Sequence, residues 1–98
     1  MAIKIFWSKR AILKFDQILK YLNEEWGEQS KKEFIGNVFD FLDTLAEFPE
    51  IGSIENREKN IRGFPIMKQV NLYYRIKGDC IVLLIFFDNR QNPKKKKL

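Results

Sequence analysis

Histidine is absent from the 98 residues, and cysteine occurs once, as Cys80. Zinc sites built from Cys and His are excluded, and so is an internal disulfide. No apolar run can span a bilayer. The longest, Ile81 to Phe87, has seven residues, against about twenty for a spanning helix. Ile3 to Trp7 is too short for an export signal and is broken by Lys4, so the expected compartment is the cytoplasm. There is no internal repeat. A single Cys80 without a histidine partner reads as a small hydrophobe rather than a nucleophile.

What is present is apolar, aromatic and basic. Hydrophobic residues make up 45% and aromatics 14%, enough to fill the core of one domain. The net charge of +5 is unevenly spread. Residues 1 to 50 hold seven Lys/Arg against nine Asp/Glu; residues 51 to 98 hold eleven against four. Four of those eleven are Lys94 to Lys97. A basic second half favours nucleic acid or an acidic protein partner; a solvated surface and tail is the plain alternative. Residues 1–92 read as the domain and 93–98 as a basic tail that is ordered only in part.

IKIFW, residues 3–7, has strand composition. Ser8 is a good N-cap, and Ala11, Ile12, Phe15, Ile18, Leu19, Leu22 and Trp26 follow at helical spacing. The spacing predicts a helix from Lys9 to Trp26, stopped at Gly27. A second helix starts beyond Gly27, with Glu28 in its first turn. Its stripe is Phe34, Ile35, Val38, Phe39, Phe41, Leu42, Leu45 and Phe48, and Pro49 ends it. So short a link predicts an antiparallel helical hairpin. Pro49 to Glu58 reads as an irregular connection. Asn60 to Phe64 is a short strand that turns at Pro65.

Ile66 to Arg90 reads as two strands joined by a type II′ turn at Gly78-Asp79. This register sets Ile76 opposite Ile81, Asn71 opposite Phe86 and Gln69 opposite Asp88. One face then carries Val70, Leu72, Tyr74, Ile76, Ile81, Leu83, Ile85 and Phe87, and needs a cover. The other carries Gln69, Asn71, Tyr73, Arg75, Asp88 and Arg90, with Val82, Leu84 and Phe86 between. The expected fold is α+β: a helical hairpin packed on one face of a mainly antiparallel four-stranded sheet, in the order β-α-α-β-β-β.

The ordered set of short motifs resembles the RelE/ParE superfamily, the toxins of bacterial type II toxin–antitoxin modules. The resemblance rests on Ile5-Phe6-Trp7-Ser8 before a helix with Ala11, Tyr21-Leu22 and Trp26-Gly27 at its end, and Pro49-Glu50-Ile51-Gly52. It continues through Ile61-Arg62, Tyr74-Arg75-Ile76 and Asp88-Asn89-Arg90-Gln91-Asn92-Pro93. It spans nearly the whole chain. It implies a toxin neutralised by a cognate antitoxin, whose C-terminal segment wraps it, with operator DNA met only through that antitoxin. It implies no cofactor or metal.

The superfamily's branches differ in mechanism. One resembles inhibitors of DNA gyrase that carry no nuclease site; the other resembles endoribonucleases that cut mRNA on the ribosome with basic residues on the open sheet face. Metal-free RNA cleavage needs a base, an acid and cations around one phosphate. For that reading the candidates are Arg90, Arg75, Lys68 and Tyr73. Arg90 falls where the ribonuclease branch carries a basic residue; its other reading is an ion pair with Asp88. Lys68 has the parity of the covered face, so its role there needs a bulge or a strand end. Arg75 also suits a surface or antitoxin-facing arginine, and Tyr73 a half-buried aromatic. The arginine that branch places on the first hairpin strand aligns with Asn71, a departure from its pattern. That departure, the missing histidine and the long first helix favour the gyrase-type branch.

Overall fold

A computed structural model describes residues 3–98. Strand β1 (Lys4–Trp7) leads into helix α1 (Lys9–Trp26) and helix α2 (Glu28–Glu47). Strands β2 (Ser53–Asn56), β3 (Ile61–Met67), β4 (Val70–Lys77) and β5 (Cys80–Asp88) follow, then a short 3-10 turn, Pro93–Lys95. The sheet order is β1-β5-β4-β3-β2. Of the five described strands, only β1 runs parallel to its neighbour, because the helical hairpin carries the chain back before β5 is added. The α+β architecture is the one the sequence predicts, with a fifth strand in the segment read as irregular. Among the described residues, no helix is long and apolar enough to cross a membrane.

Ser8 starts α1 and also locks it to the sheet. Its hydroxyl oxygen accepts the Ala11 amide at 3.0 Å and its proton goes to the Leu84 carbonyl at 3.0 Å. The helix ends at Gly27, whose φ of +90° suits a residue without Cβ. That single residue separates the two helices. One stripe faces the sheet: Ala11, Leu22, Phe34, Val38, Phe41, Leu42 and Leu45 are buried. Trp26 and Phe48 lie at helix ends and are 66% and 61% exposed, so the buried stripe is narrower than the apolar spacing suggests.

The two-residue loop between Lys77 and Cys80 forms as expected. Gly78 takes φ +59° and Asp79 does not follow it to positive φ, as a type II′ turn requires. Ile76 lies opposite Ile81. Beyond that point the register departs from the sequence reading. Tyr74 pairs with Leu83 and Tyr73 with Ile85, so Leu84 is an extra residue, a β-bulge. The bulge is the stretch that Ser8 grips: its amide donates to the Leu83 carbonyl at 3.1 Å and its hydroxyl to that of Leu84.

One extra residue inverts everything after it. Asn71 lies opposite Phe87 rather than Phe86, and Asp88 opposite Val70 rather than Gln69. Phe86 turns into the helix-facing core, while Ile85 and Phe87 join Tyr73 on the far face. A knot of rings forms around Phe86: Trp7, Phe15 and Phe34 have centroids 5.6, 5.5 and 6.1 Å away.

Strand β3 runs on through Pro65, where a turn was expected, and the chain reverses at Lys68-Gln69. Proline is tolerated there because β2 pairs with β3 only as far as Gly63. Beyond it that side of β3 is a free edge with no acceptor waiting for an N–H. Strand β2 is tied down from behind. Tyr74, fully buried, donates its hydroxyl to the Pro49 carbonyl at 2.8 Å and accepts the Gly52 amide at 2.9 Å. Arg62 Nη1 donates to the carbonyls of Glu50 and Gly52 at 3.0 and 2.8 Å.

Candidate functional site

Inverted parity after Leu84 places the basic candidates on different sides of the sheet. Tyr73 pairs with Ile85 and Arg75 with Val82, both on the face away from the helices. Asp88 pairs with Val70, whose side chain belongs to the helix-facing core. Arg90, two residues on, reaches α1: its Nη1 donates to the Tyr21 hydroxyl at 3.3 Å, and its guanidinium carbon lies 5.3 Å from the centre of the Tyr21 ring. The sequence reading put Asp88 and Arg90 on the open face; the bulge moves them to the helix side.

Arg90 is also engaged by Asp88. Nε donates to both carboxylate oxygens at 3.0 and 3.2 Å, Nη2 to Oδ2 at 2.6 Å, and the Arg90 amide to Oδ1 at 2.9 Å. This bidentate grip is the strong form of an ion pair, and it realises the alternative reading of Arg90. The hydrogen bonds from Arg90 hold the Asp88 carboxyl below the usual carboxylate range. The same bonds, with that to Tyr21, push the guanidinium further up. Between α1 and this end of the sheet lies a cleft of about 350 Å³. Lys14, Gln17, Tyr21, Asp88 and Arg90 are among its polar lining residues. An anion entering it would compete with Asp88 for Arg90.

A pH dependence follows from that pair. The folded pKa of Asp88 is depressed, so its contribution to stability is present above the unfolded value of about 4. It is lost as pH falls through the lower, folded value. Asp88→Asn should therefore melt lower than the wild type at neutral pH and lose less on acidification below about pH 4. The check is thermal unfolding of both proteins at neutral and acidic pH.

Tyr73 is buried on the far face. Gly63, its partner on β3, gives the ring room: a Cβ at Gly63 would stand 2.7 Å from Cε1 of Tyr73. The Tyr73 hydroxyl accepts from Asn71 Nδ2 at 3.2 Å and from Lys96 Nζ at 3.2 Å. Asn71, which the sequence reading aligns with the ribonuclease branch's arginine, is thus a hydrogen-bond partner of Tyr73. Arg75 is exposed two residues further along β4. From Arg75 to Val70, the residue level with Asp88, is five residues, about 17 Å of strand. Lys68 is exposed in the β3–β4 turn, next to Met67 and Gln69 of the cleft lining. Tyr73 and Arg75 share one face, Arg90 and Lys68 one end, and no single phosphate position lies among all four.

Two partners escaped the sequence reading of function. Tyr21 lies 69 positions from Arg90, and no local pattern links them. Lys96 was counted with a loose tail, yet it is held on Tyr73 and on Glu55. Both contacts depend on tertiary packing that no spacing in the chain records.

The sequence matches the ParE toxin of type II toxin–antitoxin systems, parDE, over residues 5–93. No curated protein matches it. The fold is similar to that of the chromosomal ParDE toxin–antitoxin system from P. aeruginosa. There the TM-score is 0.72 at 15% identity, covering 89% of this chain and 96% of that one. It is also similar to a YoeB/ParE toxin from Agrobacterium tumefaciens, with TM-score 0.62, 9% identity, and 88% and 98% coverage. The YoeB-YefM complex from Staphylococcus aureus gives 0.57, 12%, and 88% and 95%. With the family matched over nearly its whole length, and the helical hairpin on a five-stranded sheet in place, this chain belongs to the ParE toxin family of type II toxin–antitoxin systems.

Proposed function

We propose that this toxin acts by binding, with DNA gyrase as its target, and that a cognate antitoxin neutralises it. The observation that carries this reading is the division of the basic candidates by the sheet. Arg90 is held on the helix side by Asp88 and Tyr21, while Tyr73 and Arg75 occupy the opposite face. Cutting RNA without a metal needs a base, an acid and cations converging on one phosphate. Asn71 donates to Tyr73 where the ribonuclease branch has an arginine, and no histidine is present to transfer a proton. A binder needs no such convergence. It needs an exposed, charged surface to steer encounter, which the basic second half of the chain provides. The P. aeruginosa fold relative, a chromosomal ParDE toxin–antitoxin system, supports the second half of the proposal.

The test is a supercoiling assay with purified gyrase and increasing toxin. Supercoiling should fall as toxin is added and recover when the neighbouring gene's product is supplied. Supercoiling unchanged at a large excess of folded toxin would overturn the gyrase assignment.

A further inference from the structure

The segment 93–98 lies across the open face of the sheet. Asn92 caps its 3-10 turn, accepting the Lys94 amide on its side-chain oxygen at 3.0 Å. Arg10, from α1, donates to the carbonyl of Lys95 at 3.0 Å and to that of Lys97. Lys96 reaches down to the sheet. Its Nζ is 4.6 Å from the centre of the Tyr73 ring, 3.2 Å from the Tyr73 hydroxyl and 2.9 Å from Glu55 Oε1 on β2. Leu98 packs against the apolar group of Tyr73, Ile85 and Phe87.

Besides the exposed hydrogen bonds that Arg10 and Lys59 donate to its carbonyls, two side-chain chemistries anchor this segment. One is apolar and weak, a single leucine on a small patch separate from the main core. The other is ionic: Lys96 is 23% exposed and Glu55 35% exposed in their pair, so water and salt reach it. Neither resembles the continuous burial that fixes α1 and α2. Tyr73 is sandwiched between them, with Gly63 against one side of its ring and the Lys96 ammonium over it. Its 5% exposure therefore depends on a short, lysine-rich stretch held by few contacts, and such stretches open most readily.

We propose that residues 93–98 form a detachable strap that gates the open sheet face at Tyr73. Closed, the strap occupies the patch of Tyr73, Ile85 and Phe87 and keeps Lys96 on Glu55. Open, it uncovers two aromatic side chains and one aliphatic one, flanked by Glu55, and releases Lys96. Any partner seated on this patch must first displace Leu98 and Lys96. This inference concerns access to the face and stands whether or not gyrase is the target.

Tyrosine nitration by tetranitromethane, mapped by peptide mass spectrometry on the intact chain, reads the gate directly. Tyr21 is 38% exposed and Tyr74 fully buried, so they mark the fast and silent limits within the same molecule. In the wild type Tyr73 should react slowly, near the Tyr74 limit. In Leu98→Asp and in Lys96→Glu it should react at least about fivefold faster, as the open population grows. High salt should have the same effect on the wild type by weakening the Lys96–Glu55 pair. Arg75→Ala, on the same face and outside the strap's contacts, serves as the folded control and should leave the Tyr73 rate unchanged. Tyr73 reacting as fast as Tyr21 in the wild type would show that the strap does not close. A Tyr73 rate unmoved in both strap variants, with Tyr21 and Tyr74 unchanged, would show that the strap is not the gate.

Discussion

Gly52→Ala should destabilise this toxin by about 3 kcal/mol, combining overpacking with weakened buried hydrogen bonds. For a domain of this size that lowers Tm by roughly 15 °C. A Cβ at Gly52 would stand 2.7 Å from the Tyr74 hydroxyl and 2.9 Å from the Gly63 carbonyl. Both neighbours are fixed. Tyr74 is fully buried with its hydroxyl bridging Pro49 and Gly52, and the carbonyl belongs to the strand that pairs with β2. To admit the methyl group, the loop from Pro49 must lift away, which strips Tyr74 and Arg62 of their acceptors. Gly36 supplies the contrast. It lies inside α2 with nothing within 4 Å of an added Cβ, so Gly36→Ala should stabilise by up to about 1 kcal/mol. Urea denaturation of both variants measures the difference. Equal effects at the two glycines would contradict the packing described for the β2 loop.

Phe86→Ala should cost about 4 kcal/mol, a large part of the roughly 5–15 kcal/mol that holds a domain together. Phe86 is 1% exposed and sits among Trp7, Phe15 and Phe34. Removing it opens a cavity at the junction of both helices and β5. Phe87→Ala should cost about half as much, since its patch holds fewer residues and is covered by the strap. The comparison tests the bulge at Leu84. Without it, Phe87 would face the helices and Phe86 the open side. A larger loss from Phe87→Ala than from Phe86→Ala, by denaturant unfolding, would place the parity change elsewhere.

That bulge also marks where the sequence stops being legible. Where one side of an element is polar, its pattern fixes the outcome. Helix α1 starts and ends at the residues its spacing and caps indicate, and Gly78 makes the turn its position calls for. In β4 the alternation from Val70 to Ile76 sorts the helix-facing side from the far side correctly. Strand β5, CIVLLIFFD, has no such alternation. A uniformly apolar strand accepts either parity, so pairing register is decided by its neighbours. Here the neighbour is Ser8, which takes up the Leu84 carbonyl. Strand β2 was equally hidden. SIEN has little strand character, and its place is set by Tyr74 and Arg62 holding Gly52 just before it.

The candidate site shares that limit. Arg75, Tyr73, Lys68 and Arg90 are easily picked out as residues, and the Asp88–Arg90 pair follows from their spacing. The side of the sheet on which each stands does not, because it hangs on one inserted residue in an apolar run. The strap is a further case. A run of four lysines with a proline reads as solvated chain, and only the contacts of Lys96 and Leu98 with Tyr73 and its neighbours show otherwise.

The central claim is that the sheet keeps Arg90 apart from Tyr73 and Arg75, leaving a toxin that binds rather than cuts. The most direct measurement is the fate of mRNA on programmed ribosomes incubated with purified, folded toxin. The transcript should remain full length at toxin concentrations that stop gyrase. Discrete cuts in the ribosome-bound transcript, lost on Arg90→Ala with gyrase unaffected throughout, would contradict it.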